Sequence, residues 1–355
     1  MSLQEFGITH KRLDEALVAT VQVNLKGREE VPALLQALRQ GFPPESVAGP
    51  GFCLIQFVSS VQEGFLAEVG FPVHRPVEGS EVRTWTLPPL EVLSLVHRGP
   101  LDRLQESYRK LYGPASERGL VSDEFSREVY LDWDDPEDVT IEVQFVVHDW
   151  TGLLGRNLDR VLGEQPAGVV MQGSDALTVE STLDERFCWV KGAMERLEGL
   201  ADDEQKYKVL SSCAHVFPAG QVDKLRVVYE EARAGTADAL AAVDAVITFM
   251  EEDPGWIESA RREGHVLYSS KRPARARAYA EAKDDRERRM ASCYCPLVRR
   301  HLEEGMPLTF CYCGAGWFRQ QWEGAIGRPV RVEIVRSLLQ GDDHCEFAIH
   351  LPADL

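Results

Sequence analysis

The first 150 residues carry one pattern twice, a strand, a helix and two further strands (βαββ). The first copy predicts strands at Val18–Leu25, Cys53–Val58 and Phe65–Val73 with a helix at Arg28–Gln40. The second predicts strands at Glu91–Val96, Arg127–Trp133 and Val139–Val147 with a helix at Leu101–Arg118. Aligning the copies places Gly27 on Gly99 and Glu68 on Glu142. A duplicated unit of this kind predicts two similar halves with a cleft at their seam.

The last strand of each copy alternates apolar and polar residues, which is typical of a strand with one buried face. Glu68 and Glu142 lie on the face opposite the apolar residues, and Gln144 shares the face of Glu142. In Arg127–Trp133, Glu128 and Tyr130 share a face. If helices cover the apolar face, the glutamates line the cleft; the alternative is a solvent-exposed sheet face.

These residues define the candidate ligand-binding set, and the set suggests the chemistry of the ligand. Its members are Glu142, Tyr130, Glu68, Glu128 and Gln144. A desolvated carboxylate attracts a cationic or hydrogen-bond-donating ligand. Burial also raises a carboxylate's pKa, which suits general acid or base catalysis, so Glu142 and Tyr130 are also the catalytic candidates.

Size and charge narrow the protein class. A chain of 355 residues predicts two domains, and no apolar run approaches the length needed to span a bilayer. We find no leader pattern at the start and therefore expect a cytoplasmic protein without membrane contact. The net charge of -18 argues against direct nucleic-acid binding, and the short basic run Lys271–Arg277 is expected to be solvated. The oligomeric state is not indicated.

Residues 15–150 resemble the GyrI-like small-molecule-binding domain. The resemblance rests on VLSLVHRGPLDRLQESYRKLYG, REVYLDW, DDPED and TIEVQFVV. That family includes the effector-binding domains of AraC-type and MerR-type multidrug regulators, and the resemblance implies a lipophilic, often cationic ligand between the repeats, facing the glutamate that corresponds to Glu142. The usual proline near the end of the final strand is Val146 here, whereas the first copy retains Pro72, so the rim of the cleft is expected to differ.

The resemblance also implies an alternative activity. Some relatives hydrolyse strained, alkylating natural products with the same glutamate and aromatic neighbours. Two functions are therefore predicted for the first domain as alternatives. One is binding of an amphipathic, cationic small molecule, and the other is hydrolysis of a strained or heterocyclic molecule through Glu142.

The second half has a different composition, and the predicted fold class is α+β throughout. We expect a duplicated βαββ antiparallel-sheet domain at 1–150, a linker at 151–182 and a mainly helical α+β, cysteine-rich domain at 183–355. The linker has room for one helix, at Leu154–Leu162. The final domain is predicted to have helices at Leu183–Gly199, Asp203–His215, Val222–Ala234, Ala237–Glu251, Arg275–Ala291, Leu297–Glu304 and Trp317–Ile326, and strands at Leu308–Cys313, Val330–Leu339 and Cys345–His350.

Seven of the eight cysteines lie beyond residue 185, and four of them form two similar motifs, CYCP and CYCG. Cys293, Cys295, Cys311 and Cys313 could together hold zinc, although one residue between paired cysteines is fewer than structural zinc sites usually have. Buried structural or redox-active thiols are the alternative. A third option is a catalytic cysteine, Cys311 or Cys313, without an identified base.

The last 70 residues resemble vinyl-reductase-like sensor domains and L-2-amino-thiazoline-4-carboxylic acid hydrolases. The resemblance rests on a cysteine-bearing segment, a helix, a strand with Glu333 and a closing Gly341, Asp342, Cys345 and Phe347. It implies either a sensor or a hydrolase acting on a small heterocycle. Zinc-containing members have a further cysteine where this chain has Ser337, so that zinc site is not expected to be conserved here.

Overall fold

The chain folds into two compact units, Met1–His148 and Asp149–Leu355. The computed structural model describes residues 2–56, 65–77, 79, 81–147, 149–217, 219–236, 238–253 and 256–355, without the side chains of residues 56, 121–124 and 219. Residues 57 and 58 of the predicted strand Cys53–Val58 therefore lie outside the described residues. The fold class is α+β, as the sequence predicts.

The first unit is built on one eight-stranded antiparallel sheet in the order β1-β6-β8-β7-β3-β4-β2-β5. Its strands are β1 Thr9–Leu13, β2 Ala16–Leu25, β3 Gly51–Gln56, β4 Phe65–Pro72, β5 Arg83–Leu87, β6 Leu90–Gly99, β7 Val121–Asp132 and β8 Val139–Val147, and its helices are α1 Glu30–Gly41 and α2 Leu104–Glu117. The repeats are β2-α1-β3-β4 and β6-α2-β7-β8. They join through the pairing of β3 with β7. Strands β1 and β5 are additions that the sequence pattern did not predict.

Two short connections force this sheet to curl. Only Asp14 and Glu15 separate β1 from β2, although five strands lie between β1 and β2 in the sheet. Six strand spacings would measure roughly 29 Å in a flat sheet, whereas three residue steps reach at most about 11 Å. The Pro88–Pro89 connection from β5 to β6 imposes the same constraint. The two ends of the sheet must therefore approach each other.

The helices cover one face of the curled sheet. Helix α1 packs on β3 and β4, while α2 packs on β6, β7 and β8. Directly paired residues on neighbouring strands share a face, so the register assigns the opposite, helix-free face to a second set of side chains. We call this second surface the concave face.

Under the helices, β7 places a fully buried carboxylate, Glu128, among hydrogen-bond donors. Its oxygens accept from Arg28 Nε at 2.6 Å, from the Tyr108 hydroxyl at 2.6 Å and from the Tyr130 hydroxyl at 2.8 Å. The Arg28 guanidinium also lies 4.8 Å from the centroid of the Tyr108 ring. Burial lowers the pKa of Arg28, but the neighbouring Glu128 carboxylate outweighs that effect and raises it. These bonds compensate the cost of burying the charge and tie α2 to the sheet.

We predict that Tyr108→Phe destabilises the first unit by about 1–3 kcal/mol, because it removes a donor from a buried carboxylate. Tyr112→Phe is the control: this side chain is exposed and contacts Phe145 through its ring. Hydrogen–deuterium exchange of peptides from β8 measures the local free energy of opening. Equal protection in the two variants would contradict the stabilising role of the Tyr108–Glu128 bond.

The second unit combines nine helices, among the residues described, with a four-stranded sheet in the order β11-β12-β10-β9. The helices are α3 Trp150–Leu162, α4 Glu164–Val170, α5 Leu183–Leu200, α6 Asp203–Ser211, α7 Ala219–Gly235, α8 Ala239–Glu252, α9 Ala276–Ala280, α10 Asp285–Ser292 and α11 Tyr312–Ile326. The strands are β9 Glu258–Glu263, β10 Val266–Lys271, β11 Arg331–Arg336 and β12 Glu346–His350. No described helix is long and apolar enough to cross a membrane.

Four sequence predictions for this unit are wrong. The single helix predicted at Arg275–Ala291 is two helices, α9 and α10. The expected linker 151–182 contains α3 and α4, whose apolar residues pack in the same core as α5. Leu308–Cys311 is a 3₁₀ turn leading into α11, rather than part of a strand. Residues 297–304 form turns rather than a helix. The sequence pattern also missed the β9–β10 hairpin, which turns at Gly264 with a positive φ of 61°.

Candidate functional site

The concave face has an apolar floor. Val18, Phe52, Leu54, Leu87, Leu90, Val92, Val129 and Val146 form one cluster of buried side chains, with Leu13, Ala16, Trp85 and Phe125 packed against it. The residues that flank both short connections belong to this group. The same covalent constraint that curls the sheet therefore brings apolar side chains of both repeats together on the concave face.

Glu142 lies beside this floor as a hydrogen-bonded, ion-paired carboxylate. It is directly across from Val129 on β7, and its Oε1 accepts from Lys11 Nζ at 2.7 Å. Burial favours the neutral acid, but hydrogen bonds from Lys11, Gln144 and Ser94 outweigh burial and lower the pKa of Glu142. The raised pKa expected from the sequence is therefore wrong, and Glu142 is ionised at neutral pH.

Glu68 occupies the equivalent position in the first repeat, with weaker contacts. Its Oε2 accepts from the Thr20 hydroxyl at 2.9 Å, and the Trp85 indole N–H donates to the same hydroxyl at 3.0 Å. Arg83 is 3.9 Å away and mostly exposed. The first repeat has Gly70 at the position of Gln144. A Cβ on Gly70 would lie 2.0 Å from the carbonyl oxygen of Ala19, so a side chain cannot fit there. Glu68 therefore has no amide neighbour equivalent to Gln144.

Two buried polar atoms beside Glu142 have no hydrogen-bond partner among the described residues: Arg127 Nε and Gln144 Oε1. Arg127 and Gln144 are directly paired across β7 and β8. The Arg127 guanidinium lies 4.8 Å from the centroid of the Phe52 ring. Burial lowers the pKa of Arg127, and Glu142 partly offsets this. Unpaired buried polar atoms are rare in folded proteins, so this donor and this acceptor mark the concave face as the candidate site.

The structure separates Tyr130 and Glu128 from the other candidates. Tyr130 is paired with Ile141, and its hydroxyl donates to Glu128 beneath the helices. Neither residue can assist Glu142 directly, which corrects the expectation that Tyr130 is its neighbour. The two residues do share a face, as alternation predicted, but this is the face covered by α2. Their role in the structure is to hold the helix-covered core together.

Sequence reasoning missed Lys11, Phe52 and Arg127. Lys11 lies on β1, a five-residue edge strand whose pattern THKRL has little alternation. Phe52 and Arg127 occupy equivalent positions in the two repeats and meet where β3 pairs with β7. Aligning those two strands as a pair, rather than only the glutamate strands, would have indicated both residues.

We predict that the pKa of Glu142 lies below the ordinary glutamate value of about 4.3 and rises on Lys11→Met, because burial then acts with fewer opposing hydrogen bonds. Because the pKa is lowered in the folded state, the Lys11–Glu142 pair stabilises the fold at pH values above the unfolded-state pKa of Glu142. This contribution is lost as the pH falls through the folded-state pKa. Carbon-detected NMR titration of the Glu142 carboxyl measures both values. Lys26→Met, which changes an exposed lysine, is the control, and an unchanged pKa in Lys11→Met would contradict the assignment.

The second unit gathers the cysteines that the sequence singled out. Burial chiefly, and then neighbouring thiols, raise the pKa values of Cys293, Cys311 and Cys313, and burial also raises those of Cys295 and Cys345. The Cys311 Sγ lies 3.3 Å from the Ser337 hydroxyl. Among the described residues, no three His, Cys, Asp or Glu side chains are arranged to hold a metal. Zinc at Cys293, Cys295, Cys311 and Cys313 stays a prediction.

We expect one cysteine to react rapidly with a thiol reagent in the native chain. All eight cysteines are described as free thiols, and only Cys188 is exposed; the thiolate is the reactive form, so thiols with raised pKa values react slowly. Absorbance-monitored titration with a disulfide reagent measures the fast phase, and Cys188→Ser is expected to abolish it. A fast phase that survives this substitution would contradict the burial of the cluster. Metal analysis of the same sample tests the zinc prediction.

Comparisons with known proteins agree with the fold of the first unit. Residues 8–148 match the family model of the GyrI-like small molecule binding domain. No curated protein matches the chain. Three of the similar solved structures are EcmrR in a complex with DNA, a hydrolase from Listeria innocua, and SAV2435 bound to tetraphenylphosphonium.

These structural similarities are distant and confined to part of the chain. EcmrR is 18% identical to this chain, with a TM-score of 0.35. The Listeria protein is 12% identical, with a TM-score of 0.30. SAV2435 is 12% identical, with a TM-score of 0.31. Each alignment covers 39% of this chain, and the aligned part spans 57%, 91% and 93% of the other chains in the same order. The chain thus spans less than two thirds of EcmrR.

The first unit has the architecture of a small-molecule-binding domain: two βαββ repeats that share one curled sheet with an apolar concave face. Residues 8–148 of this unit match the GyrI-like small molecule binding domain. The resemblance expected from the sequence is confirmed for this unit. The resemblance of the last 70 residues to vinyl-reductase-like and thiazoline hydrolase proteins stays a prediction.

Proposed function

We propose that the first unit binds an amphipathic, cationic small molecule on the concave face, with its positive group against Glu142. The observation that carries the proposal is the position of an ionised carboxylate and an unpartnered acceptor, Gln144 Oε1, beside an enclosed apolar floor. The floor takes the apolar body of the ligand, since burying apolar surface is favourable by about 25 cal/mol per Å².

The charges of the concave face favour a cation once the Lys11 and Arg83 side chains turn into solvent. The negative charges of Glu142 and Glu68 lie near the positive charges of Lys11, Arg127 and Arg83. The Lys11 and Arg83 side chains are 39% and 70% exposed and can turn into solvent, whereas Glu142 is only 12% exposed. With both cations turned away, two carboxylates face Arg127 and the face is negative. Lys11 thus acts as an exchangeable partner that a cationic ligand replaces.

The ionised state of Glu142 opposes the general-acid form of the hydrolase alternative. A general acid must hold a proton near neutral pH, and hydrogen bonds from Lys11, Gln144 and Ser94 lower the pKa of this carboxyl instead. The hydroxyl of Tyr130, the other catalytic candidate, is committed to Glu128 on the other face. The hydrolase alternative would need a different acid.

Calorimetric titration of the full chain with tetraphenylphosphonium tests this proposal. We expect Glu142→Gln to weaken binding by at least about tenfold, because a charge-assisted contact contributes about 1.5–3 kcal/mol. Lys11→Met is expected to strengthen binding, since the ligand no longer displaces an ion pair. Affinity should stay constant from pH 8 to about 5 and fall as the pH approaches the lowered pKa of Glu142.

Glu106→Gln provides the matched control, because Glu106 is exposed on α2 and pairs with Arg103. This variant is expected to bind as the unaltered chain does. Unchanged affinity in Glu142→Gln, or weaker binding in Lys11→Met, would contradict the proposal. Turnover of a strained-ring substrate that is lost in Glu142→Gln would favour the hydrolase alternative instead.

A further inference from the structure

The second unit contains a pocket of about 100 Å³ between α10 and the turns that follow it. Helix α10 contributes Arg286 and Arg289, which are three residues apart and therefore share a face of the helix. The turns contribute Arg299, Arg300 and His301 from the opposite side. Four guanidinium groups line one small cavity in a chain whose net charge is -18.

The arginines that line this pocket have donors left over after their other hydrogen bonds, such as that of Arg289 Nη2 to the Leu338 carbonyl oxygen. Arg289 Nε and Arg299 Nε are buried without a hydrogen-bond partner among the described residues. Arg286 and Arg300 are exposed, and in the described part of the chain neither makes a hydrogen bond or an ion pair. A buried polar group without a partner is costly, so the arrangement lacks an acceptor.

The positive charges also crowd one another. Burial, and then Arg299 and Arg300, lower the pKa of the adjoining Arg275, whose Nε is likewise unpartnered within the described residues. Two carboxylates line the pocket, but each has a partner of its own. Glu303 lies 3.4 Å from Arg289 Nη1, and Glu304 Oε1 accepts from His301 Nδ1 at 2.7 Å. The guanidinium charge in the pocket exceeds the carboxylate charge.

His301 is held in place from outside the cavity. Its Nε2 lies 3.1 Å from Asp184, and its ring stacks on Phe187 with a centroid distance of 4.1 Å. Both contacts come from α5. The wall formed by residues 299–301 is therefore fixed against a separate helix, which keeps its arginines opposite those of α10 without a ligand.

We propose that this pocket binds a phosphate group. Its volume suits a small oxyanion and is below the roughly 300–1,000 Å³ of pockets that take drug-sized ligands. A carboxylate has two oxygens, which a single guanidinium can satisfy in a bidentate contact, whereas a phosphate offers oxygens to donors on both walls and carries up to two charges. The surplus of positive charge and the two unpartnered Nε donors match that chemistry.

Calorimetric titration of the full chain with inorganic phosphate at constant ionic strength tests the site, with phenyl phosphate as a second probe. Binding of inorganic phosphate alone would identify the free anion, and binding of both would identify the phosphate group of a larger molecule. We expect the double variant Arg286→Ala with Arg300→Ala to weaken binding by at least about tenfold, as for the loss of charge-assisted contacts. Both side chains are exposed, so the fold should be retained.

Arg277→Ala is the matched control, because Arg277 is exposed in the same region and pairs with Glu281 outside the pocket. It should bind phosphate as tightly as the unaltered chain. Equal binding by the double variant and the unaltered chain would overturn the proposal. So would the absence of a phosphate effect beyond that of chloride at the same ionic strength.

Discussion

The two-residue connections between β1 and β2 and between β5 and β6 are the constraint on which the first unit depends. Each joins strands that are six positions apart in the sheet, so the sheet cannot be flat. Curling gives its two faces different environments. The helices cover one face, while the other closes around its own apolar side chains and becomes the concave face. The apolar concave face is therefore a consequence of chain connectivity as well as of side-chain chemistry.

Glu128 and Glu142 lie on opposite faces of this sheet, and their locations give the two carboxylates different roles. Glu128 is fully buried and holds α2 to the sheet through Tyr108 and Arg28. Glu142, paired to an exposed lysine, has a partner that can leave. A buried network with every bond made stabilises a fold, whereas a carboxylate with an exchangeable partner can bind a ligand. The pseudo-symmetry of the repeats does not extend to this chemistry.

Period-two alternation and the duplication predicted the strands of both repeats and the face of Glu142. They could not predict Lys11, which is 131 residues from Glu142 in the chain and lies on a short edge strand. They also placed Cys311 and Cys313 on a strand, whereas Cys313 lies in α11. Gly314 and Gly316 in this helix disfavour helical backbone. Tertiary packing overrides this preference: a Cβ on Gly316 would lie 1.9 Å from the Ser211 carbonyl oxygen, so α11 needs glycine to approach α6.

In the proposed function, a ligand binds on the concave face and replaces the Lys11 ammonium as the partner of the Glu142 carboxylate. A crystal structure of the full chain with tetraphenylphosphonium bound tests it most directly. We predict the apolar part of the ligand against the floor and its positive charge beside the Glu142 carboxylate, with the Lys11 ammonium turned into solvent. A ligand located elsewhere on the first unit, with the Lys11–Glu142 bond of 2.7 Å intact, would contradict it.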